Sequence, residues 1–79
     1  MNEDFHLGRL IRQELDRQQH TVTWLAKQIN VDRTVCYDIF KRRYINIEQL
    51  ESLSKALNHN FFIDLAEYEE SVVKKPTIV

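Results

Sequence analysis

Apolar residues recur three and four positions apart through most of the chain, the spacing that gives a helix one apolar face. Four such helices are predicted, and a fifth, shorter one is predicted over residues 61–68 after a turn at Asn60. The inward positions, helix by helix, are Leu7, Leu10, Ile11 and Leu15; Val22, Leu25, Ala26 and Ile29; Val35, Cys36, Ile39 and Phe40; Ile47, Leu50, Leu53, Ala56 and Leu57. The pattern therefore predicts an all-α fold, a compact bundle of four to five short helices.

Polar residues between these segments predict where the helices begin and end. Asp4, Thr21 and Asp32 precede the first three helices, and their side-chain oxygens can accept hydrogen bonds from the free N–H groups of a helix N-terminus. A run of polar residues is expected to end the first helix near position 19. Residues 41–46 are predicted to form the loop before the fourth helix.

The C-terminal part of the chain is less regular. Residues 71–79 contain β-branched side chains interrupted by two lysines and a proline at 74–76, so a tail or an edge strand is predicted there. We divide the chain into a helical domain over residues 1–66 and a tail over residues 67–79 that contacts a second copy or a protein partner. The Phe-Phe-Ile run at 61–63 either closes the core or forms a dimer patch, because adjacent helix residues cannot all face one core.

The helical rhythm stops at Asn30, Val31 and Asp32, between the second and third helices. The one glycine of the chain is Gly8, so no glycine is available for a turn here. Asparagine is the next most tolerant residue of left-handed backbone angles, because its short polar side chain bonds locally. Val31 can reach the core and fix the turn, and the small Ala26 lets the two helices approach closely. The break therefore predicts a tight turn between two steeply crossed helices.

The residues around this turn are, in order, apolar, small, apolar, asparagine and apolar, and two further apolar positions follow on the next helix. Counted from Val22 as the first position, they are Leu25, Ala26, Ile29, Asn30, Val31, Cys36 and Ile39. In this order they resemble the helix-turn-helix motif of the lambda-repressor-like (Xre/Cro) DNA-binding family, over about residues 5–57. The sequence looks especially close to small regulators of this type from bacteria related to Bacteroides. The family often has glutamine in place of Val22, so the contact of that glutamine with the DNA backbone is not expected here.

The resemblance implies that the third helix lies in the DNA major groove with its N-terminal residues at the base edges. It places Arg33, Thr34 and Asp38 at the base-reading positions, with Tyr37 beside them on the same outward face. Arginine can bond guanine O6 and N7 together, threonine can hydrogen-bond a base or touch a thymine methyl group, and aspartate can accept from a cytosine amino group. Arg42, four residues after Asp38, is positioned to pair with its carboxylate.

The resemblance also implies contacts with the DNA backbone around the third helix. The candidate phosphate-binding residues are Thr21, Thr23, Lys27, Lys41, Arg42, Arg43 and Tyr44. Basic side chains and the free N–H groups of a helix N-terminus both hydrogen-bond phosphate oxygens. Family members commonly bind palindromic sites as dimers, with half-sites about 34 Å apart. The expected function is therefore sequence-specific regulation of transcription by a homodimeric repressor that covers a promoter in double-stranded DNA.

The charge distribution supports this interpretation and one alternative. The net charge is −1, but residues 1–44 carry eight Lys or Arg and six acids, whereas residues 45–79 carry three Lys and six acids. Local charge decides binding, so the N-terminal half is the better surface for DNA. The acidic second half favours an antitoxin-like or adaptor protein, which would bind a protein such as a toxin through Glu67, Glu69, Glu70 and the tail.

The sequence shows no pattern typical of an enzyme, a metal-binding protein or a membrane protein. The chain has no nucleophile–base arrangement, phosphate-binding loop or metal-ligand spacing, so no enzyme, cofactor or metal site is expected. The single cysteine, Cys36, occupies an apolar position and is expected to be buried and inert. Apolar runs are at most three residues long, which excludes a membrane span, and no targeting segment is recognised. We therefore expect a protein of the bacterial cytoplasm, located on the nucleoid when it is bound to DNA.

Overall fold

The computed structural model describes residues 5–73 and folds them into five α-helices, with no β-strand in that range. In chain order, the helices are α1 (Leu7–Arg17), α2 (Val22–Gln28), α3 (Arg33–Lys41), α4 (Ile47–Leu57) and α5 (Phe61–Val73). The predicted all-α class is confirmed. None of the helices within residues 5–73 has the length and apolar content that a membrane crossing requires.

All five helices contribute buried apolar side chains to one core. The buried residues are Leu7, Ile11, Leu15, Leu25, Ala26, Cys36, Ile39, Leu50, Leu53, Leu57 and Phe61. Every one of them except Phe61 lies on a predicted inward face, and Phe61 shows that the 61–63 run closes the core with its first residue. Burying a large apolar side chain of this kind stabilises a fold by about 1.5–3 kcal/mol relative to leaving it exposed. The core therefore holds each helix at a fixed rotation about its own axis.

Helix α1 begins later than predicted. Its first residue is Leu7, and Nδ1 of His6 accepts a hydrogen bond from the backbone N–H of Arg9 at 3.0 Å. The prediction that Asp4 caps this helix is wrong, because the cap is the residue that directly precedes the first helical one. Asp4 itself lies outside the described residues.

The caps of the next two helices lie at the predicted positions. Oγ1 of Thr21 accepts from the backbone N–H of Trp24 at 3.0 Å, so this cap is confirmed with its hydrogen bond. Asp32 is the N-cap of α3, but its side chain makes no cap hydrogen bond within the described residues. Helix α4 has a cap that was not predicted, since Oδ1 of Asn46 accepts from the N–H of Gln49 at 2.8 Å.

The start of α4 contains a wrong prediction. Ile47 is predicted to point inward, but 73% of its surface is exposed. It is the first residue of the helix and lies almost a full turn before the buried Leu50, at the edge of the core rather than over it. The preceding loop is also one residue shorter than predicted, because Lys41 is the last residue of α3.

Three helices are followed by residues with left-handed backbone angles, and none of these residues is glycine. The angle φ is 62° at Gln19, 62° at Asn30 and 51° at Asn58. Asparagine tolerates this region because its short side chain bonds locally, whereas a residue such as glutamine adopts it at a cost of roughly 1–2 kcal/mol. After Gln19, the N–H of His20 donates back to the carbonyl oxygen of Leu15 at 3.1 Å, which satisfies a free carbonyl of α1.

The single glycine joins the start of α1 to the end of α3. The backbone N–H groups of Leu7 and Gly8 donate to the carbonyl oxygens of Arg43 and Arg42, each at 3.0 Å. A Cβ atom added at Gly8 would lie 2.6 Å from the oxygen of Arg42 and closer still to that of Ile39. Only glycine allows this approach, because the opposing atoms belong to the backbone and cannot rotate away. The free N–H groups of one helix thus bind the free carbonyls beyond another.

Helix α5 is longer than predicted. It starts after the expected turn at Asn60, whose Oδ1 accepts from the backbone N–H of Phe62 at 3.0 Å. The predicted tail or edge strand is wrong for residues 71–73, which are helical, while residues 74–79 lie outside the described part of the chain. Three glutamates in the second half of α5 favour a helix over a strand. The division of the chain into a helical domain over residues 1–66 and a partner-contacting segment over residues 67–79 stays a prediction.

Candidate nucleic-acid interface

The turn between α2 and α3 has the backbone geometry that the sequence predicts. Asn30 is left-handed, and Val31 packs half-buried against the core. The N–H of Val31 donates to the carbonyl oxygen of Ala26 at 2.9 Å and closes the turn onto the end of α2. Ala26 is buried, as expected for a small residue where two helices approach closely. Helix α3 therefore starts from a fixed position relative to α2.

Helix α3 has one buried face and one exposed face. Cys36 and Ile39 are buried in the core and fix the rotation of the helix. The exposed face carries the four predicted base-reading residues: Arg33, Thr34, Tyr37 and Asp38. Arg33 lies four positions before Tyr37, and Thr34 lies four positions before Asp38. All four side chains therefore lie on the same side of two successive helical turns. The structure brings the predicted base-reading set together on one surface.

A shallow depression at the start of α3 adds a residue that sequence reasoning missed. It is lined by Asp32, Arg33, Thr34 and Tyr37. The sequence predicts Asp32 only as the helix cap, but its exposed side chain makes no cap hydrogen bond within the described residues, and Asp32 lines the depression. A carboxylate here repels phosphate and can accept from a cytosine amino group. The sequence has no signal that separates a cap residue that uses its side chain from one that does not.

The surface continues across the turn onto α2. A neighbouring depression is lined by Ala26, Lys27, Asn30, Val31 and Asp32. Because Asp32 borders both depressions, the predicted phosphate-binding Lys27 and the predicted base-reading Tyr37 lie at the two ends of one continuous surface.

The start of α2 carries the two threonines predicted to contact phosphate. Thr21 and Thr23 are both exposed. Oγ1 of Thr21 accepts the cap hydrogen bond from Trp24, which leaves its hydroxyl hydrogen able to donate. The indole of Trp24 stacks on His20 with ring centroids 3.6 Å apart. The threonines are thus presented from a well-packed helix start.

The carboxylate of Asp38 has the partner that the sequence predicts. Its Oδ2 lies 3.5 Å from Nη2 of Arg42, and the two side chains are 62% and 59% exposed. An exposed pair of this kind contributes about 0–1 kcal/mol to stability. The pair therefore does little for the fold, but it offsets a negative charge on the exposed face of α3.

Tyr37 is held by aromatic packing. Its ring meets that of Phe40 edge-on, with centroids 6.1 Å apart and planes at 87°. The guanidinium of Arg12 on α1 lies 5.1 Å from the centroid of the same Phe40 ring. Edge-to-face pairs of this kind contribute about 0.5–1.5 kcal/mol beyond area burial. The phenol of Tyr37 is therefore presented from an ordered ring.

The basic segment at the end of α3, residues 41–44, is exposed but anchored. All four residues of 41–44 (Lys, Arg, Arg, Tyr) are exposed, while α1 holds two of their backbone carbonyls. The side chain of Arg43 hydrogen-bonds to Tyr68 of α5 and to Tyr44, and the bond with Tyr68 raises the pKa of the guanidinium. Phe5 stacks on Tyr68 with centroids 4.3 Å apart. Arg43 thus links the predicted phosphate-binding segment to α5.

The remaining candidate groups are the single cysteine and the side chains that could act as metal ligands. Burial raises the pKa of the Cys36 thiol, so it is neutral near pH 7 and a poor nucleophile. Its predicted burial is confirmed. Within residues 5–73, no three of the His, Cys, Asp and Glu side chains are grouped as ligands of a metal ion would be.

Comparisons of the chain with known protein families, with curated proteins and with solved structures give no match. What the α2–α3 surface can bind is therefore inferred from its own side chains. Between residues 33 and 44 there are four cations and one carboxylate, together with a hydroxyl group and two exposed phenols. The cations, the hydroxyl group and the phenols can donate hydrogen bonds to phosphate oxygens, and the same groups together with the carboxylate can hydrogen-bond base edges.

Proposed function

We propose that the chain is a sequence-specific regulator that binds double-stranded DNA. In this proposal α2, the turn at Asn30 and α3 act as a helix-turn-helix of the lambda-repressor-like kind that the sequence resembles. The observation that supports it most is the exposed face of α3, where Arg33, Thr34, Tyr37 and Asp38 stand together while the opposite face is fixed in the core. The major groove of B-DNA is about 12 Å wide and admits one α-helix presented in this way.

The exposed residues of α3 would read base edges according to their chemistry. Arg33 donates two hydrogen bonds to guanine, and Thr34 contacts a thymine methyl group or an adjacent polar atom. Each good bidentate contact discriminates against a wrong base by about 1–3 kcal/mol. Asp38 and Asp32 favour a cytosine amino group over phosphate, so both would lie over the groove floor rather than against the DNA backbone.

The basic segment at the end of α3 would contact phosphates. Lys41 and Arg42 are exposed, and the backbone of Arg42 is fixed to α1 through the N–H of Gly8. Contacts of this type position the protein on the duplex without reading sequence. Lys27, Thr21 and the other predicted phosphate contacts would add to the same affinity.

The regulatory mechanism that follows is occlusion. A homodimer would occupy two half-sites about 34 Å apart in a palindromic operator, and the bound protein would cover the promoter against polymerase. Such a repressor acts in the bacterial cytoplasm, on the nucleoid.

Selection of bound sites from a random pool of DNA tests the proposal. The wild-type chain should enrich a short motif, and Arg33→Ala and Thr34→Ala should each relax the preference at one or two positions. Lys55→Ala is the matched control, because it removes an exposed cation from α4 and should leave the motif unchanged. An unenriched pool would refute DNA binding by sequence, and an unchanged motif in both α3 variants would refute the role of α3.

A further inference from the structure

Helix α5 is anchored on one side. Phe61 is buried, and Phe62 and Leu65 pack against the core. Tyr68, one turn further on, stacks on Phe5. These contacts occupy one face of the helix along most of its length and leave the opposite face to solvent.

The opposite face of α5 forms a shallow apolar groove, which we call the α5 groove. It is lined by Ile63, Ala66, Glu67, Glu69, Glu70 and Val73. Ile63 is 54% exposed and Val73 is 67% exposed. Exposed apolar side chains that are rimmed by polar ones mark interaction sites more often than isolated ones do.

The rim of the α5 groove is strongly acidic. Helix α5 contains Asp64, Glu67, Glu69 and Glu70 and has no lysine or arginine. Oδ2 of Asp64 lies 2.6 Å from Nε2 of His59, but the three glutamates form no ion pair within the described part of the chain. Among residues 5–73, the groove therefore offers three carboxylates without an ion-pair partner.

The negative charge of the rim determines which kind of ligand the groove can bind. If two copies met through the same groove, three glutamates from each would face one another without a cation in either helix, and like charges across an interface are unfavourable. An anionic lipid surface is repelled for the same reason. An occupant with apolar residues along one stripe and cations beside it satisfies both the apolar floor and the acidic rim.

We propose that the α5 groove binds a basic amphipathic helix of a partner protein. Apolar side chains of that helix, three and four residues apart, would pack on Ile63, Ala66 and Val73, as in helix-in-groove recognition. Its lysines or arginines would pair with Glu67, Glu69 and Glu70. The inference does not depend on DNA binding, because α5 and α3 expose different surfaces.

The probe is a synthetic helical peptide of leucine and lysine, with leucines three and four residues apart, and a twin in which glutamate replaces lysine. Both are titrated into the full chain, labelled with ¹⁵N, while backbone amide shifts are recorded. The lysine peptide should shift amides of α5 from Ile63 to Val73, and the glutamate twin should shift none. Added salt should weaken the binding, because the steering is electrostatic.

Two pairs of variants separate the groove from acidity in general. Ile63→Ser should weaken peptide binding about tenfold, whereas Ile47→Ser, at an even more exposed isoleucine at the start of α4, should not. Glu67→Gln with Glu70→Gln should weaken binding and reduce its salt dependence, whereas Glu48→Gln with Glu51→Gln on α4 should not. All six of the substituted side chains are exposed, so circular dichroism should show unchanged folding.

Three results would overturn the proposal. The first is a set of peptide-induced shifts spread equally over α4 and α5. The second is an Ile63→Ser variant that binds the peptide as the wild type does. The third is a wild-type dimer in sedimentation that Ile63→Ser dissociates, which would make a second copy the occupant of the groove.

Discussion

Helices α3 and α5 are built alike on the inside and differ on the outside. Each is fixed by buried residues, Cys36 and Ile39 in α3 and Phe61 in α5. The solvent side of α3 and the loop after it carry four cations, whereas α5 carries four carboxylates and exposed aliphatic groups. A net charge of −1 averages over these two surfaces and describes neither. The comparison shows that the core sets the orientation of a helix, while its outer residues decide what it can bind.

The largest expected effect concerns the support of α3. Gly8→Ala places a Cβ atom against three backbone oxygens near the end of α3, and it should lower the free energy of unfolding by about 3 kcal/mol. Urea unfolding measures this, with Gln13→Ala at an exposed position of the same helix as the control. A loss below about 1 kcal/mol would mean that α1 and α3 separate easily, and that α3 is less firmly supported than the packing indicates.

Charge reversal tests whether the two surfaces are separate. Lys41→Glu should weaken binding to the selected DNA site by about 2 kcal/mol, because it removes a phosphate contact and adds a repulsion. Glu67→Lys reverses a charge of the other sign on α5 and should leave this affinity within about threefold. Fluorescence anisotropy with labelled duplex measures both. Effects of equal size and opposite sign, with Lys41→Glu weakening the binding and Glu67→Lys strengthening it, would show that only the total charge matters and that the two surfaces do not act separately.

A smaller effect concerns the α1–α4 junction, which belongs to neither surface. The hydrogen bond from Arg17, with a further one from Gln18, lowers the pKa of Glu14 from 4.5 to about 2, although burial opposes the shift. Nε2 of Gln18 also donates to the carbonyl oxygen of Leu57 at 2.7 Å. A lowered carboxyl pKa stabilises the fold above about pH 5, and this contribution is lost as the pH falls towards 2.

Unfolding experiments across that pH range measure the contribution of Glu14. The difference in unfolding free energy between wild type and Glu14→Gln should fall by about 1 kcal/mol from pH 6 to pH 2, since the mostly exposed Arg17 is screened by water. Glu48→Gln on α4 is the control, because it removes an exposed carboxylate that forms no ion pair within residues 5–73. A constant difference for Glu14→Gln would show that its carboxylate is not stabilised in the fold.

The smallest effect concerns the turns that orient the helices. Gln19→Gly should stabilise the fold by about 0.5 kcal/mol, because glycine relieves the left-handed strain but loses more entropy on folding. Asn30→Gly should gain less, since asparagine already tolerates that region. The melting temperatures of both variants, measured by thermal unfolding, show which substitution stabilises the fold more. A larger gain at Asn30 would mean that the turn before α3 is the more strained of the two.

The helices and the core follow from local periodicity, which is why ten of the buried residues are predicted correctly. The left-handed turn at Asn30 is predictable for the same local reason, because asparagine is one of few residues suited to it. Ile47 is mispredicted because periodicity gives the direction of a side chain but not whether the core extends beneath it. Gly8 is missed because its role depends on Arg42, which is distant in sequence and adjacent in the fold.

The two surfaces also contain residues that the sequence predicts and residues that it does not. The exposed set on α3 is predictable once the inward residues Cys36 and Ile39 are known, since the remaining positions must face outward. Asp32 is missed because an N-cap position does not reveal whether its side chain is used. The three glutamates of the α5 groove are predicted as a protein-binding surface, but its apolar floor is missed. A glutamate-rich segment with β-branched neighbours is compatible with a tail, and only its continuation as a helix aligns Ile63 with Val73.

The hydrogen bonds from Leu7 and Gly8 to the carbonyls of Arg43 and Arg42 also have a kinetic consequence. An amide exchanges its hydrogen with solvent only when its bond opens, and these two amides are bonded to the loop rather than to their own helix. Opening the loop would therefore free the amides of Leu7 and Gly8, and we expect the loop and the start of α1 to open as one unit. The backbone beneath the basic side chains should then open no more often than the start of the helix that holds it.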